Sequence, residues 1–103
     1  MINEKQIGVC GVDSGQILLC DPCYIDSEWK KEDFDDKKKS KNYFSYNACC
    51  KKTLTKNLAG QLNFKLGHAG AGVVVSSGYG DGVYPVYATY EDGRIKSVRI
   101  EFF

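Results

Sequence analysis

Apolar and polar residues alternate most regularly near the end of the chain, where VYPVYATY and RIKSVRIEFF flank Glu91-Asp92-Gly93. Asp-Gly between two strand-forming runs is the strongest short-range hairpin signal, because the turn it suits needs φ > 0 at both central residues. A two-residue loop at Asp92-Gly93 sets Tyr87 opposite Val98 and Pro85 opposite Ile100. Val98, Ile100 and Phe102 then share an inward face, with Arg99 and Glu101 on the other. Pro85 has no N–H to give a ladder, so its position predicts an edge strand or a bulge.

Earlier segments carry the same kind of pattern. QIGVCGVDSGQILLC reads as two short strands around an Asp13-Ser14-Gly15 turn. The unbroken run Ile17-Leu18-Leu19 predicts burial on both faces, and Asp21-Pro22 ends that strand. Asp26 or Ser27 is a candidate cap for a short helix carrying Trp29 and Phe34. NYFSYNACC has strand composition. In TLTKNLAGQLNFKL the leucines Leu54, Leu58 and Leu62 are spaced by four, which allows a short helix before Gly60 breaks it. GHAGAG reads as a flexible connection and GVVVSS as a buried strand.

The sum is five to six strands, one or two short helices and no internal repeat. Without βαβ alternation the expected fold is mainly β, with a minor α part: a single mostly antiparallel sheet, or a small sandwich or open barrel. A chain of 103 residues suits one domain, 1–103, with one modest core. The mixed-charge stretch 30–41 reads as a solvated surface segment.

Charge and composition narrow the function classes. A net charge of +1 argues against a dedicated nucleic-acid binder, which needs clustered excess Lys and Arg. No apolar run approaches the roughly 18 residues of a membrane span, and MINEKQIGVC has no signal-peptide core, so a cytoplasmic protein is expected. The five cysteines, Cys10, Cys20, Cys23, Cys49 and Cys50, are odd in number and read as reduced thiols.

Candidate chemistry begins with Cys20-Asp21-Pro22-Cys23. A redox C-x-x-C opens a helix whose dipole lowers one thiol pKa, and YIDSEW reads as a poor first turn. Zinc prefers two spaced pairs of ligands, whereas Cys49 and Cys50 are adjacent and on a strand would point apart. His68, the single histidine, has no spacing that ties it to a particular cysteine. GHAGAG precedes a strand where a phosphate loop would precede a helix, and DFDD lacks the later ligands of a calcium loop. No metal or cofactor is therefore expected. The densest signal is GYGDG, with Gly78, Gly80 and Gly82 within five residues. Its amides suit an anion, Asp81 suits a hydroxyl or amine, and Tyr79 and Tyr84 suit a ring. The competing reading makes Asp81 a cap on its own turn.

Two stretches, VDSGQILLCDPCYI and SSGYGDGVYPVYATYEDGRIKSVRIEFF, together resemble a family of uncharacterised bacterial and phage proteins. The matching residues are Ser14, Gly15, Asp21, Pro22, Cys23 and Tyr24, then Gly80, Asp81, Gly82, Tyr84 and Pro85. The resemblance implies a shared fold unit and a phage or bacterial setting, not a reaction. It joins the two loops into one expected ligand site: Asp21, Cys23 and Tyr24 with Ser77, Gly78, Tyr79, Gly80, Asp81, Gly82 and Tyr84. The leading functional expectation is a non-enzymatic protein that sequesters a small, nucleotide-like host immune signal, an anti-defence role. A small hydrolase-type enzyme using Asp21 and Asp81, or Cys23 as nucleophile, is the alternative. An inhibitor that binds a host protein is the third reading. No nucleic-acid or membrane partner is expected, and self-association is left open.

Overall fold

Strand formers cluster at both ends of the chain and over 72–76. The computed structural model, which describes residues 2–31 and 42–103, builds two antiparallel three-stranded sheets from them. The elements are β1 (Ile2–Val12), β2 (Gln16–Leu19), α1 (Cys23–Ser27), α2 (Tyr46–Thr53), β3 (Ala59–Asn63), β4 (Ala69–Ser76), β5 (Gly82–Glu91) and β6 (Arg94–Ile100). One sheet has the order β1-β5-β6 and the other β2-β4-β3. They belong to two compact units, Met1–Gly15 with Ser77–Phe103, and Gln16–Ser76. The mainly-β expectation holds. Two strands flank Asp13-Ser14-Gly15 as expected, but they do not pair with each other: β1 pairs with β5 and β2 with β4.

In the first unit the hairpin turns where the sequence places it. Asp92 and Gly93 have φ of 53° and 78°, the left-handed pair of a type I′ turn. Glu91 faces Arg94 and Tyr90 faces Ile95, but β6 then spends one extra residue, Lys96, before Ser97 faces Thr89. This bulge moves the register by one. Val98 therefore lies opposite Ala88 and Ile100 opposite Val86, which corrects the expected partners Tyr87 and Pro85. Val98 is also 54% exposed and not inward. The other face is polar as expected: Arg99 donates to Glu4 at 2.8 Å and lies over the Tyr87 ring, 4.4 Å from its centroid.

Pro85 sits on the central strand β5, not on an edge. Its carbonyl accepts from the Glu101 N–H at 3.2 Å, one residue past the end of β6. The N–H and C=O of a strand residue point to the same side. The missing donor of Pro85 thus falls where the β6 ladder is running out, and little pairing is lost.

In the second unit β4 is central, and Ala71 and Val74 on it are fully buried. They form a core with Phe44, Ala48, Cys49 and Leu62. The strand expected from NYFSYNACC is instead the helix α2. Ser45 is extended (φ −163°, ψ 173°) and its hydroxyl accepts from the Ala48 N–H at 3.1 Å. That cap, together with burial of Ala48 and Cys49 against the sheet, overrides the weak helix propensity of the segment. The helix allowed by the leucine spacing is absent from 59–63, where β3 runs. Leu54 and Leu58 are exposed while Leu62 is buried, and Leu58 has φ 57°, so the three share no helical face.

Two further expectations are corrected. α1 ends at Ser27, where a helix was expected to begin, and Trp29 follows it to pack edge-on against Phe44 at 5.3 Å. Phe34 and most of the charged stretch lie outside the described residues. β2 is an edge strand, so Ile17 is buried, Leu18 half-buried and Leu19 exposed, rather than all three buried.

Ser45→Ala removes the bond to Ala48 and leaves that N–H buried, at a cost of about 1 kcal/mol. A lower urea midpoint with an unchanged slope checks it, and an unchanged midpoint refutes the role of the cap.

Candidate functional site

The loop 77–81 joins β4 to β5 and is closed by its own backbone and two hydroxyls. Ser77 is fully buried, and its N–H donates to the Gly15 carbonyl at 3.0 Å. Its Oγ donates to the Gly80 carbonyl at 2.6 Å. The Tyr84 hydroxyl donates to the same carbonyl, also at 2.6 Å. The Gly80 N–H completes the turn by donating to the Ser77 carbonyl at 3.3 Å.

The glycines have distinct reasons. Gly78 and Gly80 take φ of 66° and 103°, the region that a side chain rarely tolerates. A Cβ at Gly78 would also stand 3.0 Å from the Phe102 Cβ and 3.2 Å from the Phe103 ring. The loop is therefore seated on the two phenylalanines that follow β6. Phe102 packs edge-on against Tyr84 at 5.2 Å, and Phe103 lies against Tyr79 at 4.6 Å with the planes 40° apart.

What the loop displays differs from what closes it. Among the described residues Asp81 takes no part in the hydrogen bonds of the loop, and it is exposed. Tyr79 is 82% exposed and Phe103 83%. A carboxylate and a pair of aromatic rings thus project from a closed turn. Tyr84, expected as a stacking group, is buried and works as a clamp. Phe102 and Phe103 were missed as site residues. The only sequence signal for them is Gly78, whose missing side chain makes room.

Asp21, Cys23 and Tyr24 belong to the other unit. Asp21 caps α1: its Oδ1 accepts from the Cys23 N–H at 3.0 Å and its carbonyl from the Tyr24 N–H at 3.0 Å. Pro22 is already helical (φ −54°, ψ −29°). The Cys23 N–H holds the Asp21 carboxyl below its ordinary pKa. Tyr24 is half-buried, edge-on to Phe64 at 5.1 Å.

A helix does open at Cys23, contrary to the poor first turn read from YIDSEW. It does not activate the thiols. Hydrogen bonding to Asp21 pushes the Cys23 thiol up, and burial, then the Asp21 charge, pushes Cys20 up. A nucleophilic or redox thiol needs the opposite shift. None of the five cysteines is in a disulfide, and Cys49 and Cys50 lie on a helix, not the expected strand. Among the described residues no three of His, Cys, Asp and Glu come together as metal ligands would. No helix among them is long and apolar enough to cross a membrane.

These features define a small mainly-β protein of two three-stranded sheets, with an aromatic and carboxylate-bearing loop at the head of one central strand. The chain belongs to the family described as "Protein of unknown function (DUF4241)", which matches residues 1–100. No curated protein matches it, and no solved structure does.

Two outcomes follow. Tyr84→Phe removes one of two bonds to the Gly80 carbonyl and should cost about 1 kcal/mol, whereas Asp81→Ala should leave the melting temperature unchanged. The reverse ranking would make Asp81 the structural residue. For Asp21 the folded pKa lies below the unfolded one, so its contact stabilises α1 above the ordinary carboxylate range and is lost as pH falls through the folded value. The carboxyl chemical shift of Asp21 and the amide shift of Cys23 should therefore titrate together, at a midpoint below that of an unstructured aspartate. Separate midpoints would show that the cap is not formed.

Proposed function

We propose that this protein is a non-enzymatic small-molecule binder whose contact element is the loop 77–81 with Phe103. The observation that carries this reading is the division of labour in the loop. Ser77 and Tyr84 hold the backbone, and Asp81 and Tyr79 are left to the outside. A turn cap would have its carboxylate bonded inward. A pre-ordered turn lowers the entropy cost of capturing a ligand. The chemistry on offer is stacking on the Tyr79 and Phe103 rings and acceptance by Asp81 from hydroxyl or amine donors. A nucleoside-like moiety meets both requirements. The phage setting implied by the sequence resemblance makes sequestration of a nucleotide-derived host immune signal the specific form of the proposal. The raised Cys23 thiol and the engaged Asp21 carboxylate weigh against the hydrolase alternative.

Mass spectrometry of small molecules released by denaturing protein purified from phage-infected cells tests this reading. Stoichiometric recovery of an unaltered, ring-bearing molecule is expected, and Asp81→Ala or Tyr79→Ala should lose it without a change in melting temperature. Asp13→Ala, in the turn before β2, should retain it. A co-purifying host protein in place of a small molecule would overturn the proposal, as would chemically converted ligand.

A further inference from the structure

We infer that the loop 77–81 selects a guanine base, whose ring N1–H and 2-amino group are read by the Asp81 carboxylate. This rests on the loop reading above and names the ring that the loop takes. What the loop can read is set by how few groups it carries. From Ser77 to Val83 there is no Lys, Arg, His, Asn or Gln. Ser77 is buried and spends its hydroxyl on the Gly80 carbonyl. The side chains left to a ligand are Tyr79 and Asp81, both exposed. They are the two chain neighbours of Gly80, whose carbonyl accepts at 2.6 Å from Ser77 and at 2.6 Å from Tyr84. The ring and the carboxylate therefore leave the backbone on either side of a doubly held residue. Phe103, 4.6 Å from Tyr79 and also exposed, widens the aromatic surface.

Every base has a face that stacks on aromatic rings, so stacking does not choose among them. The carboxylate does. An ionised carboxylate only accepts, and its two oxygens suit two parallel N–H donors in one plane, as in an Arg–carboxylate fork. Guanine offers such a pair side by side on its Watson–Crick edge. Adenine and cytosine each offer one amino group beside a ring nitrogen that is itself an acceptor. Uracil offers one N–H between two carbonyls. With each of these three, a carboxylate oxygen would face a lone pair. Hypoxanthine keeps the N1–H of guanine and lacks the amino group. A ribose diol also has two donors, but its hydroxyls rotate independently and lie off the plane of a stacked ring. The planar pair is the better match to a carboxylate whose backbone is already fixed beside the stacking surface.

The test uses the full chain. Backbone amide resonances are followed by NMR during separate titrations with guanosine, 2′-deoxyguanosine, 2′-deoxyinosine and 2′-deoxyadenosine. Saturable shifts at Tyr79, Gly80, Asp81 and Phe103 are expected with guanosine and, at the same affinity, with 2′-deoxyguanosine. Loss of one donor should make 2′-deoxyinosine bind about tenfold more weakly, and 2′-deoxyadenosine should bind more weakly still. Asp81→Asn keeps the shape of the side chain and replaces one acceptor oxygen with a donor. It should bring 2′-deoxyguanosine down to the level of 2′-deoxyadenosine at an unchanged melting temperature. Three outcomes overturn the guanine assignment while the loop reading stands: 2′-deoxyadenosine binding as well as 2′-deoxyguanosine, binding that needs the 2′-hydroxyl, or Asp81→Asn binding 2′-deoxyguanosine like the parent. No shift with any of the four nucleosides would overturn both the assignment and the nucleoside-like ligand proposed for the loop.

Discussion

One backbone carbonyl organises the loop on which the functional reading rests. The Gly80 oxygen has two lone pairs, and two hydroxyls fill them, one from Ser77 at the start of the loop and one from Tyr84 after it. Ser77 is also tied through its own N–H to Gly15, so the turn is fixed at both ends within its unit. Each bond is worth about 1 kcal/mol net, but the larger consequence is order. A loop that would otherwise lose conformational freedom on meeting a ligand has lost it already. The left-handed Gly78 then sets the backbone directly on Phe102 and Phe103, and the same contact brings Phe103 beside Tyr79.

Local signals were legible in the sequence, and signals that depend on tertiary packing were not. Asp92-Gly93 marked the hairpin because the turn is decided by two residues. The register beyond it escaped because Lys96 bulges out of β6, and its ion pair with Glu91 at 3.0 Å is not written in any strand alternation. α2 escaped because Tyr46, Asn47 and the two cysteines are mediocre helix formers, and only Ser45 announced the start. The site was half legible. Three glycines around one aspartate singled out the loop, but residue type could not say which polar groups close it and which face outward. Tyr84 looked like a stacking group until its hydroxyl was found on the Gly80 carbonyl, and Phe103 drew no attention because nothing in its own neighbourhood requires it.

The two aspartates that the sequence paired as equals are chemically different. Asp21 accepts from the backbone N–H of Cys23, which favours its ionised form and ties it to α1. Hydrogen bonding between the Cys23 thiol and the Asp21 carboxylate raises that thiol. The Asp21 carboxylate is therefore engaged at this turn by both the amide and the thiol of Cys23. Among the described residues Asp81 has no such tie, and it is exposed. On the proposed function that charge also restricts the ligand. A phosphate brought against an exposed carboxylate is repelled, whereas a sugar hydroxyl or an exocyclic amine donates to it. On the proposed function the loop would take the neutral, ring-bearing part of a molecule.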